Sequence, residues 1–297
     1  MNDDLPDLAE LLPSWRRAMG GANRSPATIA LYTAGVKAFL RWCADSSVTA
    51  ELTKDAVNAF VGDLLERGAE PATAVARQKA LRQFSKWLAA EGELKDDPLL
   101  GLARPQQLTK VTTALDDEQL RRLVKACAGR TLLDRRDEAV VRLMAETGVR
   151  AGELLGLRIA DVDLDRGQAV IRKAKGGKQR AVPFGPQTVA ALDRYLRARR
   201  RGAGTAALWV GVRGDPLGYH GLSLAIKARA KAAGINNFHL HVLRHTAATR
   251  WLRANGSEQG LMAVAGWSSR SMLDRYTSAS AAERAAAEAR TLRLGDL

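Results

Sequence analysis

Between Val162 and Pro183 the hydrophobic pattern alternates with a period of two, in a chain whose apolar residues elsewhere recur at helix spacing. Val162 and Leu164 lead into a turn at Asp165-Arg166-Gly167, and residues 169–171 follow it. A second turn, KAKGGKQR, contains Gly176-Gly177, which permit positive φ, and residues 181–183 follow. The stretch predicts a three-stranded antiparallel sheet. The fold class is therefore mainly α with one small antiparallel β-sheet.

The helical remainder falls into two parts. A short amphipathic helix over 5–20 ends at Gly20-Gly21. Ser25-Pro26 starts a second, with Ser as N-cap, Pro at the first helical position, and Ile29, Tyr32, Val36, Phe39, Leu40 and Cys43 on one face. Helices over 53–67 and from Pro71 to about Gly92 complete a small all-α domain at 1–97. Its aromatic residues Tyr32, Phe39, Trp42, Phe84 and Trp87 read as core and not as base-stacking groups. Residues 98–113 lose periodicity, carry Pro98, Gly101 and Pro105, and read as an interdomain linker. A second domain spans 114–278, with helices expected at 116–127, 133–147, 186–201, 219–233, 241–254, 258–265 and 271–277. An Ala-rich helix would occupy 279–297.

Charge separates the same two parts. Residues 1–105 carry 13 basic and 14 acidic side chains, and 106–297 carry 33 and 18. The cationic surplus of the second part suits a polyanion, nucleic acid before membrane. Cys43 and Cys127 sit in apolar helical patterns without metal-ligand spacing and read as buried free thiols. The first twenty residues lack a basic-then-apolar signal pattern, and no apolar run approaches a span of ~20 residues, so a cytoplasmic, nucleoid-associated address without membrane contact is expected.

The chemistry concentrates in residues 241–276, HVLRHTAATRWLRANGSEQGLMAVAGWSSRSMLDRY. An imidazole and a guanidinium lie three residues apart at His241 and Arg244, followed by the indole of Trp267 and the phenol of Tyr276. Arg stabilises phosphate charge and Tyr can attack phosphorus, but a phosphorane needs more than one cation. Upstream, Arg150 follows a Gly-terminated helix in TGVRAGEL, and Lys175 lies in AKGGKQRAVP. With HVLRH and AGWSSRSMLDRYT these segments, in this order, resemble the tyrosine recombinase (phage integrase) family, over most of the chain. His239, His241 and His245 have no Cys or carboxylate in their segment, and no metal is expected.

The resemblance implies a helical core-binding (SAM-like) N-domain and an α+β catalytic domain. It implies catalytic roles for Arg150, Lys175, His241, Arg244, Trp267 and Tyr276, with Glu153 supporting them. Arg150 and Arg244 would clamp the non-bridging phosphate oxygens. Lys175 would protonate the leaving 5′ oxygen, and His241 would exchange a proton with Tyr276 or bond the phosphate. Trp267 stands where the family more commonly has His. Its N–H can donate but cannot shuttle a proton. Gly152 replaces a more usual Ser.

The partner so implied is double-stranded DNA bearing a short inverted-repeat core site, gripped by the two domains as a C-clamp. A homotetramer would act on two duplexes and be a monomer or weak oligomer when free, with room for an accessory directionality factor. No cofactor is expected, because the phosphotyrosyl ester keeps the bond energy. Candidate DNA-contacting residues are Arg77, Lys79, Arg82 and Lys86 on the fourth helix, Lys173 and Lys178 in the hairpin turn, and Lys227, Arg229 and Lys231 on 219–233. Residues 279–297 would dock on a neighbouring protomer. The alternatives are a type IB topoisomerase, Xer-type dimer resolution, a catalytically silent regulator on the same fold and a generic nucleoid protein. Ala265-Gly266-Trp267, where Xer proteins usually show LGH, leans the reading towards a small mobile-element integrase without an arm-binding domain.

Overall fold

The computed structural model describes residues 7–105, 114–172, 179–199 and 204–277, with only the backbone of Ser271 and of 275–277. Lys173, Lys175, Lys178 and the expected helix at 279–297 lie outside the described residues, as does the side chain of Tyr276. The chain divides into two compact units, Met1–Lys110 and Val111–Leu297. Among the described residues no helix is long and apolar enough to cross a membrane.

The first unit is four helices, α1 (Leu8–Gly21), α2 (Pro26–Asp45), α3 (Lys54–Glu66) and α4 (Pro71–Glu91). Side-chain caps start the first three, and Pro71 at the first helical position starts α4. Asp7, Ser25 and Thr53 each accept from an amide in the first turn, at 2.8, 3.2 and 3.1 Å, contacts worth ~1 kcal/mol each. Trp15, Phe39, Phe60 and Phe84 are buried at the centre, and Tyr32, Trp42 and Trp87 pack half-buried around them, so the aromatics are core, as expected. α2 and α4 touch where Gly35 faces Ala80 with no room for a Cβ between them.

The first residues of the expected linker belong to this unit. Leu99 and Leu102 are buried in its core. Asp97 accepts from the Ser85 hydroxyl and from the Leu99 amide, and Gln78 donates to the Ala103 carbonyl at 2.9 Å. The leucines at 99, 100 and 102, interrupted by Gly101 and flanked by Pro98 and Pro105, are too few to show a period, which is why the segment reads as linker in sequence.

The second unit holds α5 (Asp117–Ala126), α6 (Leu132–Thr147), α7 (Ala151–Leu155), β1 (Val162–Asp163), β2 (Gln168–Ile171), β3 (Arg180–Pro183), α8 (Pro186–Arg199), α9 (Tyr219–Ala232), α10 (Leu240–Arg253), α11 (Glu258–Ala265) and α12 (Arg270–Thr277). The strands form one antiparallel sheet in the order β1-β2-β3, with Ala169 opposite both Val162 and Val182. Asp116–Gln119 and Thr131–Asp134 close capping boxes at the starts of α5 and α6. α6 is central and packs on α5, α8, α9 and α10. Its C-terminal cap is Gly148 in the left-handed region, φ +63°, which turns the chain sharply into α7. A smaller apolar cluster of Ala248, Leu252, Leu261, Ala265, Trp267 and Leu273 joins α10, α11 and α12.

Candidate active site

Three chain turns meet on one side of the second unit: the link from α6 to α7, the start of β3, and the link from α11 to α12. Arg150 is the N-cap residue of α7. Its amide donates to Glu153 Oε2 and its Nη1 to Oε1, both at 3.0 Å. The same guanidinium reaches the Gly266 carbonyl at 3.3 to 3.4 Å. Its side chain stays 37 % exposed while that of Glu153 is 7 % exposed.

Glu153 is held from a second side by Arg180, whose Nη1 and Nη2 donate to Oε1 and Oε2 at 3.1 and 2.7 Å. Burial acts to raise the Glu153 carboxyl pKa. The Arg180 hydrogen bonds, the Arg150 amide and the two positive charges outweigh it and hold the group below the usual carboxylate range.

Arg244 comes from α10 and is buried, 2 % exposed. Its Nη1 donates to the Gly148 carbonyl and its Nη2 to that of Ala265 at 2.9 Å. Its guanidinium carbon lies 5.3 Å from the centre of the Trp267 ring, within cation–π range. The two guanidiniums are thus tied to consecutive carbonyls, Ala265 and Gly266, directly before Trp267. Burial of this Arg is eased by the two carbonyls that accept from it and by the aromatic face that meets its charge.

His241 is on the exposed start of α10, one turn before Arg244, with its ring 4.7 Å from that of His245 in a T-shaped contact and 6.4 Å from His239. Trp267 is buried at 6 % exposure and packs beneath Arg244 as part of the α10–α11–α12 cluster. Tyr276 lies on α12, which packs on α10 through the buried Leu273. The structure therefore brings together Arg150, Glu153, Arg244 and Trp267, with His241 one helical turn away.

The expected DNA-contacting residues divide. Lys79 and Lys86 are exposed on α4, and Arg82 is half-buried. Lys79, Arg82 and Arg104 line one cleft of about 260 Å³ with Val75, Gln78 and Gln83. Arg104, which sequence reasoning left in the linker, thus joins this basic surface. Arg77 instead turns inwards, with a guanidinium nitrogen fully buried. On α9, Lys227 and Lys231 are exposed, but Arg229 binds Asp134 at 2.8 Å, Asp137 at 3.0 Å and the Ala126 carbonyl at 3.1 Å. Residues 227 and 231 are four apart and share a face. Residue 229 points to the other side, towards α6. Arg229 is thus an internal ion-pair partner and not a surface contact.

Arg180 is the residue that sequence reasoning passed over, although it ends the quoted turn. Strand alternation could have found it. On β3 Val182 is buried while Ala181 and Pro183 are exposed, which puts Arg180 on the inward face, where a charge needs a partner.

Comparison with known proteins gives a consistent result. A model of the phage integrase family matches residues 113–283, and one of the phage integrase N-terminal SAM-like domain matches 11–92. Tyrosine recombinase XerC of Bacillus pumilus is 30 % identical over 265 residues, 86 % of this chain and 87 % of the relative. XerC of Corynebacterium efficiens is 31 % identical over 257 residues, 86 % and 82 % of the two chains. Among solved structures, XerA recombinase is 28 % identical with a TM-score of 0.53, covering 91 % of this chain and 94 % of that one. XerH bound to a palindromic difH substrate is 20 % identical with a TM-score of 0.75, covering 95 % and 83 %. A lambda integrase tetramer bound to a Holliday junction is 17 % identical with a TM-score of 0.70, covering 91 % and 80 %.

Proposed function

The chain belongs to the phage integrase family of tyrosine recombinases, and from that premise we propose that it exchanges DNA strands through Tyr276 on a pair of duplex sites. The observation that carries the reading is the convergence of Arg150 and Arg244 on the carbonyls of Gly266 and Ala265, at the entrance to the helix that bears Tyr276. A family enzyme of this kind is a site-specific DNA strand transferase.

In the proposed step the Tyr276 oxygen attacks the scissile phosphorus. The new bond is the phenolic O–P ester on the 3′ side, and the bond that breaks is P–O5′. The phenolic proton passes to His241 and Lys175 donates one to the departing 5′ oxygen, so charge and atoms balance. The trigonal-bipyramidal phosphorane carries charge on two non-bridging oxygens. Arg150 and Arg244, already fixed by carbonyls and by Glu153, meet that charge without reorganising. The ester conserves the energy of the broken bond, and a 5′-hydroxyl from the partner duplex reverses the step.

The duplex would contact the exposed Lys79, Lys86 and Arg104 and the half-buried Arg82 of the first unit, and the exposed Lys227 and Lys231 of the second. The lambda integrase structure, a tetramer on a Holliday junction, supports four protomers on two duplexes. Residues 279–297, which lie outside the described residues, would dock on a neighbouring protomer. Trp267 in the segment AGW favours a small integrase of a mobile element. The XerC relatives, alike over most of both chains, favour the second reading, resolution of chromosome or plasmid dimers. The test is covalent trapping. Wild type and Tyr276→Phe are mixed with fragmented genomic DNA, stopped with SDS, and the attached DNA is sequenced. Adducts from the wild type alone, clustered at one short inverted repeat, support the reading; repeats at a chromosomal terminus select dimer resolution, and repeats at element ends select integration. Equal, negligible trapping by two proteins that both bind DNA would make this a silent regulator.

A further inference from the structure

Arg180 closes a ring of contacts around the candidate site without facing outwards itself. Its side chain is 11 % exposed. Its two terminal nitrogens take the two oxygens of Glu153, and its Nε donates to the Val264 carbonyl at 2.9 Å. A methyl group added at Gly266, whose φ is +65°, would lie 2.7 Å from the Arg180 guanidinium carbon. Each Glu153 oxygen thus receives one hydrogen bond from Arg180 and one from Arg150.

The charge count is the consequence. Arg150, Glu153 and Arg180 together carry two positive charges and one negative. With Arg180 in place the carboxylate is already answered, and the exposed face of Arg150 presents a net cation. Without Arg180, Glu153 and Arg150 form a neutral pair, and the buried carboxylate keeps Arg150 for itself. The loss is large because opposite charges attract strongly in a poorly solvated site.

Building on the role of Arg150 as a phosphate-binding cation, we propose that Arg180 is a positioning residue for strand transfer: it is the counter-ion of Glu153 that leaves the charge of Arg150 available to the scissile phosphate. It also fixes the Val264–Gly266 segment whose carbonyls orient Arg150 and Arg244. Arg180 itself touches no DNA.

The experiment measures single-turnover formation of the covalent adduct. The probe is a duplex carrying the repeat recovered by trapping, nicked one nucleotide beyond the cleavage position so that the small product diffuses away. Arg180→Met should form adduct about 10²-fold more slowly than wild type, the scale set by misplacing one catalytic group. Its affinity for the duplex in a mobility-shift assay should change less than about twofold, because a buried side chain releases no counterions. The deciding variant is Arg180→Met/Glu153→Gln. Removing the carboxylate charge returns Arg150 to a net cation, so the double variant should react at least about tenfold faster than Arg180→Met, whereas a packing role would make it slower still. Should Arg180→Met lack a cooperative thermal transition, the same comparison is read with Arg180→Lys and Arg180→Lys/Glu153→Gln, in which weakened pairing should again be rescued by the Gln. A double variant no faster than its parent, or an Arg180 variant as fast as wild type, overturns the proposal. Failure of the underlying reading is separate: the wild type itself would then give no adduct.

Discussion

Two kinds of basic residue alternate on α9, and they should fail in opposite ways. Arg229→Met removes ion pairs at 2.8 and 3.0 Å and a hydrogen bond to the Ala126 carbonyl. It leaves Asp137, whose side chain is 3 % exposed, with Arg136 as its remaining ionic partner, at 2.7 Å. Breaking a buried pair costs about 3–5 kcal/mol. Because Arg136 remains and Arg229 is itself 24 % exposed, the lower end applies, about 3 kcal/mol. For a unit of this size each kcal/mol moves the midpoint by roughly 2–4 °C, so the expected fall in Tm is about 6–12 °C. Lys227→Gln/Lys231→Gln removes exposed side chains and should move Tm by less than about 2 °C. Its effect belongs to DNA: each lost phosphate contact lowers the slope of log affinity against log salt by about 0.9, hence about 1.8 for the pair. Differential scanning calorimetry gives the first quantity, and a salt series of fluorescence-anisotropy titrations gives the second. An Arg229→Met protein that melts with the wild type but shows a flattened salt slope would refute the assignment of Arg229 to the interior.

Leu99→Ala should destabilise the first unit by about 2–5 kcal/mol, read as a lower urea midpoint, because Leu99 is buried in that unit's core; an unchanged midpoint would return the segment to the linker. Glu153 is held below its ordinary pKa. A depressed folded-state value contributes stability above the unfolded pKa of ~4.3 and loses it as pH falls through the folded value. Urea midpoints of wild type should therefore drop more steeply than those of Glu153→Gln below about pH 4, and parallel curves would contradict the ion-pair account.

Much of the fold was legible because its signals are local. Ser25-Pro26, Asp116 and Gly148 mark helix ends by their own backbone chemistry, and the period-two stretch located the three strands. Residues 98–105 were not legible, since Leu99 and Leu102 dock on a core assembled from four distant helices. At the site, Arg150, Arg244 and Trp267 stood out because their segments are short and ordered. What joins them was hidden: Arg180 meets Glu153 and the Val264 carbonyl, 27 and 84 residues away, and no local pattern encodes such distances. Arg229 was misread for a related reason. A basic side chain in a basic helix looks solvated until its partners, here Asp134 and Asp137 on α6, are placed beside it.

The central claim is that Tyr276 forms the bond to DNA. The most direct test is to trap wild-type adduct, trim the DNA with nuclease, digest the protein, and locate the residual nucleotide by tandem mass spectrometry. The account predicts one modified peptide, with the nucleotide joined through its 3′ phosphate to Tyr276 and no modified peptide from Tyr276→Phe. A nucleotide on any other residue, or a wild type that binds its duplex and yields no modified peptide, would contradict it.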